Sequence, residues 1–184
     1  MRWQALFDDL EAQLEAAEAA GLAAEVADRT RAESARLLLV DRLAAGIGAP
    51  LVLQLYGSGQ QRVRLVDTGP DWLLAAPDEG GRELLVPLAA LLAVSGLTRQ
   101  VRVDQPGPVA RRLDLRWALR GLARDRSPVS LLLVDGSAVS GTLDRVLSDH
   151  VDLAEHPPGE LRRAREVRGV RSVSLQALSA VRVS

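Results

Sequence analysis

The feature of this sequence that most constrains its fold is an internal repeat. Residues 86–94 read VPLAALLAV and residues 173–181 read VSLQALSAV, with the same residue at six of nine positions. At an offset of 78 residues Pro50 falls on Pro128, and after about residue 80 the offset becomes 87 because the second copy has nine extra residues in a loop. Matches that keep this order along the chain indicate that one structural unit has been duplicated.

Both copies predict the same succession of elements. Residues 51–55 and 129–133 carry apolar side chains at alternate positions, the pattern of a strand with one buried face. The segments that follow, GSG at 57–59 and DGS at 135–137, are typical of tight hairpin turns. Residues 87–91 predict one helical turn before a last strand, so each copy is a helix followed by about five short strands. The expected core positions are Leu53, Leu55, Leu65, Leu73, Val86, Leu88, Leu91, Leu131, Leu133, Leu143, Val151, Val173, Leu175 and Leu178.

The second copy resembles the Sm-like (LSm) small β-barrels. Residues 139–153 read VSGTLDRVLSDHVDL, and Gly141 and Leu143 match the strand glycine and following leucine of that family. The resemblance covers roughly 35–97 and 113–183, and the turn before the last strand is equally similar to SH3-like barrels. The arrangement is also similar to uncharacterised actinobacterial proteins, a resemblance that implies no activity.

The chain departs from the Sm-like pattern at several places. The first copy has Val63 where the strand glycine is expected, and the chain contains no Asn, the residue with which uridine-binding members read their base. Arg168 and Gly169 lie near the place of the family's Arg-Gly pair, but one residue out of frame. The resemblance therefore implies a barrel type rather than an RNA-binding function.

The predicted fold is α+β and mainly β: two tandem small Sm-like or SH3-like β-barrels, each preceded by a helix, behind an N-terminal helical arm. The expected domains are an acidic amphipathic arm at 1–30, a first helix and barrel at 31–97, a linker at 98–110, and a second helix and barrel at 111–184. Because Sm-like barrels pair their edge strands into rings, the resemblance implies a homo-oligomer, either a dimer or a trimer of two-barrel chains that forms a pseudo-hexamer.

The N-terminal arm has an apolar seam and no counterpart in the second copy. The stretch is rich in Ala and Glu, which favour helix. Its seam could pack on the chain's own barrels, on a second copy of the chain or on a partner's helix. The candidate oligomer seam follows the three- and four-residue spacing of a coiled coil and consists of Trp3, Phe7, Leu10, Leu14 and Ala17.

Charge divides the chain into two halves of opposite sign. Residues 1–97 hold 8 Arg and 14 acidic residues, whereas residues 98–184 hold 15 Arg and 10 acidic residues. The Arg-rich half could be a solvated face, could pair with the acidic arm, or could bind the phosphates of RNA or DNA. Base stacking on this face would require aromatic residues, and Trp117 is expected in the core because it falls on Leu39. The candidate nucleic-acid or anion contacts are Arg112, Arg116, Arg120, Arg124, Arg162, Arg163, Arg165, Arg168 and Arg171.

The inventory of chemically active residues is small. The chain has no Cys, and its two histidines, His150 and His156, lie near acids in the segment DHVDLAEH. A metal site needs three or four converging ligands, which this segment does not supply. No nucleophile elbow or phosphate-binding loop occurs. We therefore expect no catalytic residue, metal or cofactor.

The sequence thus predicts a non-catalytic binding or scaffolding protein that acts through its tandem barrels and its arm, with a protein partner or self-association. The alternative is an RNA- or DNA-binding regulatory protein that uses the Arg clusters of the second copy. The most apolar stretch, 84–94, is too short for a membrane span, and the N-terminus is acidic where a signal peptide is basic. A cytoplasmic location without membrane contact is therefore expected.

Overall fold

The computed structural model describes residues 2–101, 113–157 and 169–183, and it divides into two units, one ending at residue 38 and the other beginning at residue 39. The first unit is helix α1, Arg2–Ser34. Alanine and glutamate favour this helix. An exposed salt bridge between Arg29 and Glu25, four residues apart and separated by 2.8 Å, adds a small stabilisation. The helix continues across Gly21 and ends four residues beyond the predicted arm.

In its described residues the second unit contains ten strands and two α-helices. The first repeat comprises α2 (Leu39–Ala45), β1 (Pro50–Leu55), β2 (Gly59–Thr68), β3 (Trp72–Pro77), β4 (Leu84–Pro87), a 3-10 turn (Leu88–Ala90) and β5 (Leu91–Ser95). The second comprises α3 (Leu115–Arg124), β6 (Pro128–Leu133), β7 (Ala138–Val146), β8 (His150–Glu155), β9 (Gly169–Ser174), a 3-10 turn (Leu175–Ala177) and β10 (Leu178–Val183). The helix, the five strands and the tight turn predicted for each copy are confirmed.

The strands form one antiparallel sheet in the order β5-β1-β2-β3-β4-β10-β6-β7-β8-β9. Each repeat therefore has the same internal order, with its fifth strand beside its first. The two repeats are joined where β4 pairs with β10, with Leu85 opposite Val181. The α+β, mainly β fold class is confirmed. The sheet is open in the described part of the chain, so the two closed barrels stay a prediction.

The described residues of the second unit form two hydrophobic cores. Side chains of a strand alternate between the two faces of a sheet, so neighbouring residues of β4 reach different cores. Leu84 and Val86 are buried in the first core, whereas Leu85 is buried in the second. Neighbouring residues of β10 are divided in the same way: Ala180 is buried in the first core and Val181 in the second. The joint between the repeats is thus part of both cores.

Ten of the predicted core positions are buried. The other four are only partly buried and pack at the rims of the cores: Leu88, Leu91, Leu133 and Leu175. The prediction for Trp117 is wrong, because its side chain is 49% exposed. Helix α3 turns Leu115 and Leu119 toward the second core, and Trp117 lies on the opposite side of the helix.

Candidate interaction surfaces

The joint between the repeats is mainly an apolar surface. Trp72 of β3 and Leu85 of β4 are 8% and 6% exposed, and both belong to the core of the second repeat. Leu74 packs against the same core. Three side chains of the first repeat thus complete the core of the second, and their burial is the main stabilisation expected at the joint.

Two polar contacts fix the start of α3 at this joint. The backbone N–H of Leu115 donates to Asp71 Oδ1 at 2.8 Å, and Trp72 Nε1 donates to the carbonyl oxygen of Leu113 at 2.7 Å. Burial raises the pKa of Asp71, and the hydrogen bond from Leu115 lowers it by a smaller amount. The side chain of Asp114 caps the helix itself, accepting from the N–H of Trp117 at 2.8 Å.

The hairpins of the two repeats also meet at the joint. Gly57 has a φ of 66°, and a Cβ there would lie 2.4 Å from the carbonyl oxygen of Leu133 and 2.6 Å from the nitrogen of Gly136. Only glycine fits this position, because both the backbone angle and the contact exclude a side chain. Ser179 of β10 is buried beside it and hydrogen-bonds with Ser58, Oγ to Oγ at 2.9 Å.

The other end of the sheet, formed by β8 and β9, carries polar residues at the corresponding positions. Asp152 Oδ1 accepts from Ser172 Oγ at 2.7 Å, and Asp152 Oδ2 accepts from Arg145 Nε at 3.0 Å. The Ser172 hydroxyl and then the Arg145 guanidinium lower the pKa of Asp152, against the effect of burial. His150 Nδ1 lies 2.6 Å from Asp149 Oδ1, and the contact with His150 lowers the pKa of that exposed aspartate.

Strand β5 forms the opposite edge of the sheet, and it is apolar. Its sequence, LLAVS, contains no charged residue. Leu92 is 49% exposed and Ala93 is exposed, whereas Ala180, the counterpart of Ala93 in β10, is fully buried. Within the described residues β5 pairs with β1 alone, so its outer edge presents unpaired backbone groups.

Helix α1 exposes several large apolar side chains. Phe7, Leu10 and Leu14 of the predicted seam are 62%, 51% and 61% exposed, and Ala17 is exposed as well. The side chain of Trp3 lies outside the described residues. Sequence reasoning missed Leu22 and Val26, which are 65% and 56% exposed and lie on another side of the helix. The four-residue spacing of Leu22 and Val26, which places both on one side of a helix, is the sequence signal that would have identified them.

The outward face of α3 combines cationic and aromatic residues. Trp117, Arg120 and Arg124 are exposed and share this face at spacings of three and four residues. Arg116 lies at its border and donates to Asp114 Oδ2 through Nη2 at 2.7 Å. Of the remaining candidate contacts, Arg171 lies on β9 and donates to Glu155 Oε1 at 2.7 Å. The others lie outside the described residues: Arg112, Arg162, Arg163, Arg165 and Arg168.

The described residues contain no group of side chains arranged to hold a metal ion. His156 is buried, with Nε2 at 2.8 Å from Thr142 Oγ1 and Nδ1 at 3.0 Å from the carbonyl oxygen of Pro157. Both ring nitrogens therefore have structural partners. A groove of about 290 Å³ opens beside it, and the ion pair between Glu155 and Arg171 lines this groove.

None of the helices in the described residues has the length and apolar character needed to cross a membrane. In comparisons with known proteins, no family model, no curated protein and no solved structure matches this chain.

Proposed function

We propose that the protein is a non-catalytic scaffolding protein that associates with a second copy of itself. In this proposal two tandem units of Sm-like or SH3-like type form the body, and α1 supplies a helix that pairs with the α1 of the second copy. The repeated strand order, with the fifth strand of each repeat beside its first, supports the tandem-unit part of the proposal. The self-association part is supported by the exposed apolar side chains.

The observation that carries the proposal is the seam of α1. Phe7, Leu10 and Leu14 each expose more than half of their side chains on one side of a helix of 33 residues. Side chains at this spacing pack as knobs into the holes of a facing helix. Burying one such leucine or phenylalanine contributes about 1.5–3 kcal/mol. Burial of the seams of two copies therefore contributes favourably to their association.

Sedimentation of the full chain tests this proposal. The double variant Leu10→Glu with Leu14→Glu should weaken self-association by at least tenfold, because it places like charges in the seam. The matched control is Ala19→Glu with Ala23→Glu, which adds the same charge to the opposite side of α1 and should leave association unchanged. An unaltered association constant in the seam variant would contradict the role of the arm.

The alternative function, RNA or DNA binding, is favoured by the exposure of Trp117. Unpaired bases stack on exposed aromatic rings, and neighbouring guanidinium groups neutralise their phosphates. Trp117 beside Arg120 and Arg124 supplies both features. Binding of a single-stranded oligonucleotide should quench Trp117 fluorescence, and its affinity should fall steeply with salt. Arg120→Glu should abolish this binding, whereas the charge-matched control Arg36→Glu should retain it. Absence of binding at low salt would leave the scaffolding function alone.

A further inference from the structure

The two fifth strands, β5 and β10, have the same place in their repeats but different surroundings. In β10, Ser179, Ala180 and Val181 are fully buried against the first repeat. There β4 pairs with the outer edge of β10 from Val181 onward, and the hairpin of the first repeat covers Ser179. Their counterparts in β5 are Leu92, Ala93 and Val94, of which the first two are exposed and the third is half-buried. The joint within the chain thus shows that a fifth strand can be covered by another strand.

The strand that could cover β5 in the same way is β9 of a second copy, and its chemistry does not fit. At the joint Leu85 of β4 lies opposite Val181. The counterpart of Leu85 in β9 is Ser172, whose hydroxyl is held by Asp152 at 2.7 Å. Pairing β9 with β5 would place this polar group against Val94. Nothing would replace the apolar contact that the joint derives from leucine.

Steric fit gives a second argument against β9. Gly57, which has no room for a Cβ, corresponds to Asp135 in the second repeat. Ser179, a buried hydroxyl between Ser58 and the carbonyl oxygen of Tyr56, corresponds to the much larger Leu92. A head-to-tail contact copied from the joint would bring a carboxylate side chain and a leucine into places built for glycine and serine. Overpacking of this kind is destabilising.

We propose that β5 pairs with β5 of a second copy in antiparallel orientation, about a two-fold axis. This inference deepens the proposed function, because it adds a second contact to an assembly that also uses α1. Because β5 is uncharged and exposes Leu92 and Ala93, two copies of it meet without like-charge repulsion. Antiparallel pairing of these identical strands satisfies the unpaired backbone groups of both. Leu92 of each copy then contacts the partner's sheet, which removes its exposed surface from water.

The test separates this contact from that of the arm and from a ring. In the full chain that carries Leu10→Glu and Leu14→Glu, β5 is the remaining contact, and we expect a dimer by sedimentation at high micromolar concentration. Adding Leu92→Lys should convert this dimer to a monomer, because two like charges would meet near the axis. Adding Val170→Lys instead, on the exposed outer edge of β9, should leave the dimer intact. Mixing Leu92→Lys chains with Leu92→Glu chains should restore a dimer.

Four results would overturn the inference. A monomeric arm variant would assign all association to α1, which leaves the proposed function standing. A wild-type chain that is itself a monomer would reject both the inference and the proposed function. Loss of association by Val170→Lys would show that β9 of one copy covers β5 of the next. The absence of rescue in the mixture would show that the two copies of residue 92 do not meet. Leu92 and Val170 are both surface residues, so we expect each variant to fold. Circular dichroism of each variant checks this.

Discussion

The joint between the repeats and the β8–β9 end of the sheet occupy equivalent positions, yet their chemistry is opposite. At the joint, Trp72, Leu74 and Leu85 face the core of the neighbouring repeat. At equivalent positions in the second repeat the chain has His150, Asp152 and Ser172. The strand registers agree with this equivalence, since Leu74 pairs with Leu85 and Asp152 pairs with Ser172.

This difference teaches that one backbone arrangement can serve either as a connection or as an end. The joint excludes water and is stabilised by buried apolar area. The β8–β9 end instead satisfies its polar groups with one another, through the contacts of Asp152 with Ser172 and Arg145. A repeat protein needs a polar outer face on its last repeat to stay soluble, and an exposed sheet edge is protected by charges. The two repeats have therefore diverged according to what each must contact.

The largest effect is expected from Gly57→Ala at the joint. The new Cβ would lie 2.4 Å from the carbonyl oxygen of Leu133, and the φ of 66° disfavours any L side chain. Overpacking and left-handed backbone together should cost about 4 kcal/mol in free energy of unfolding, measured by urea denaturation.

Gly59→Ala is the matched control for this substitution. Gly59 has a nearly identical φ of 64°, but a Cβ there meets nothing within 4 Å. Gly59→Ala should lower the free energy of unfolding by about 1–2 kcal/mol, the cost of the left-handed backbone alone. Equal losses for Gly57→Ala and Gly59→Ala would show that the hairpin contact contributes nothing to the joint.

A smaller effect is expected from truncating one equivalent pair of residues. Leu85→Ala removes a side chain that is 6% exposed and belongs to the second core, so the free energy of unfolding should fall by about 3 kcal/mol. Ser172→Ala, the same truncation at the β9 end, removes one hydrogen bond to Asp152 and should cost about 1 kcal/mol. If Ser172→Ala were as destabilising as Leu85→Ala, the β9 end would depend on its hydrogen bond as strongly as the joint depends on buried apolar area, which would contradict the contrast between the two regions.

The succession of elements within each repeat could be predicted from the sequence. Alternation and turn residues report local structure, so the strands, the hairpins and most buried positions followed from the offset of the repeat. Gly141, the glycine that interrupts the apolar pattern of β7, also has a local cause. A Cβ at this residue would lie 2.2 Å from the carbonyl oxygen of Ala154, so the strand glycine has a steric cause.

The contact between the repeats could not be predicted in the same way. Pairing of β4 with β10 joins residues about half the chain apart, and no local pattern specifies it. Comparing the copies also assumes that matched residues share an environment. Trp117 was placed in the core through its match to Leu39, but Leu39 is itself 45% exposed. The network of Asp152 and Ser172 was missed because the long loop before β9 separates its members in sequence.

The smallest effect concerns pH, and its sign should differ between the two regions. The Ser172 hydroxyl and Arg145 lower the pKa of Asp152 against the effect of burial, so this carboxylate stabilises the fold above its ordinary pKa of 3.8. That contribution is lost as the pH falls through the lowered value in the folded state. Burial raises the pKa of Asp71, so its contribution is largest below 3.8 and is lost as the pH rises through the raised value. Asp152→Asn should therefore destabilise the chain at neutral pH and have little effect in acid.

Asp71→Asn removes a charge that burial disfavours while it keeps an oxygen for the N–H of Leu115. It should leave the neutral-pH stability unchanged or slightly higher. Urea denaturation of the wild type and both variants from about pH 3 to pH 7 measures the difference. If the two variants shifted the pH profile in the same direction, the carboxylates would share one environment. The contrast between a partly desolvated Asp71 and a hydrogen-bonded Asp152 would then be wrong.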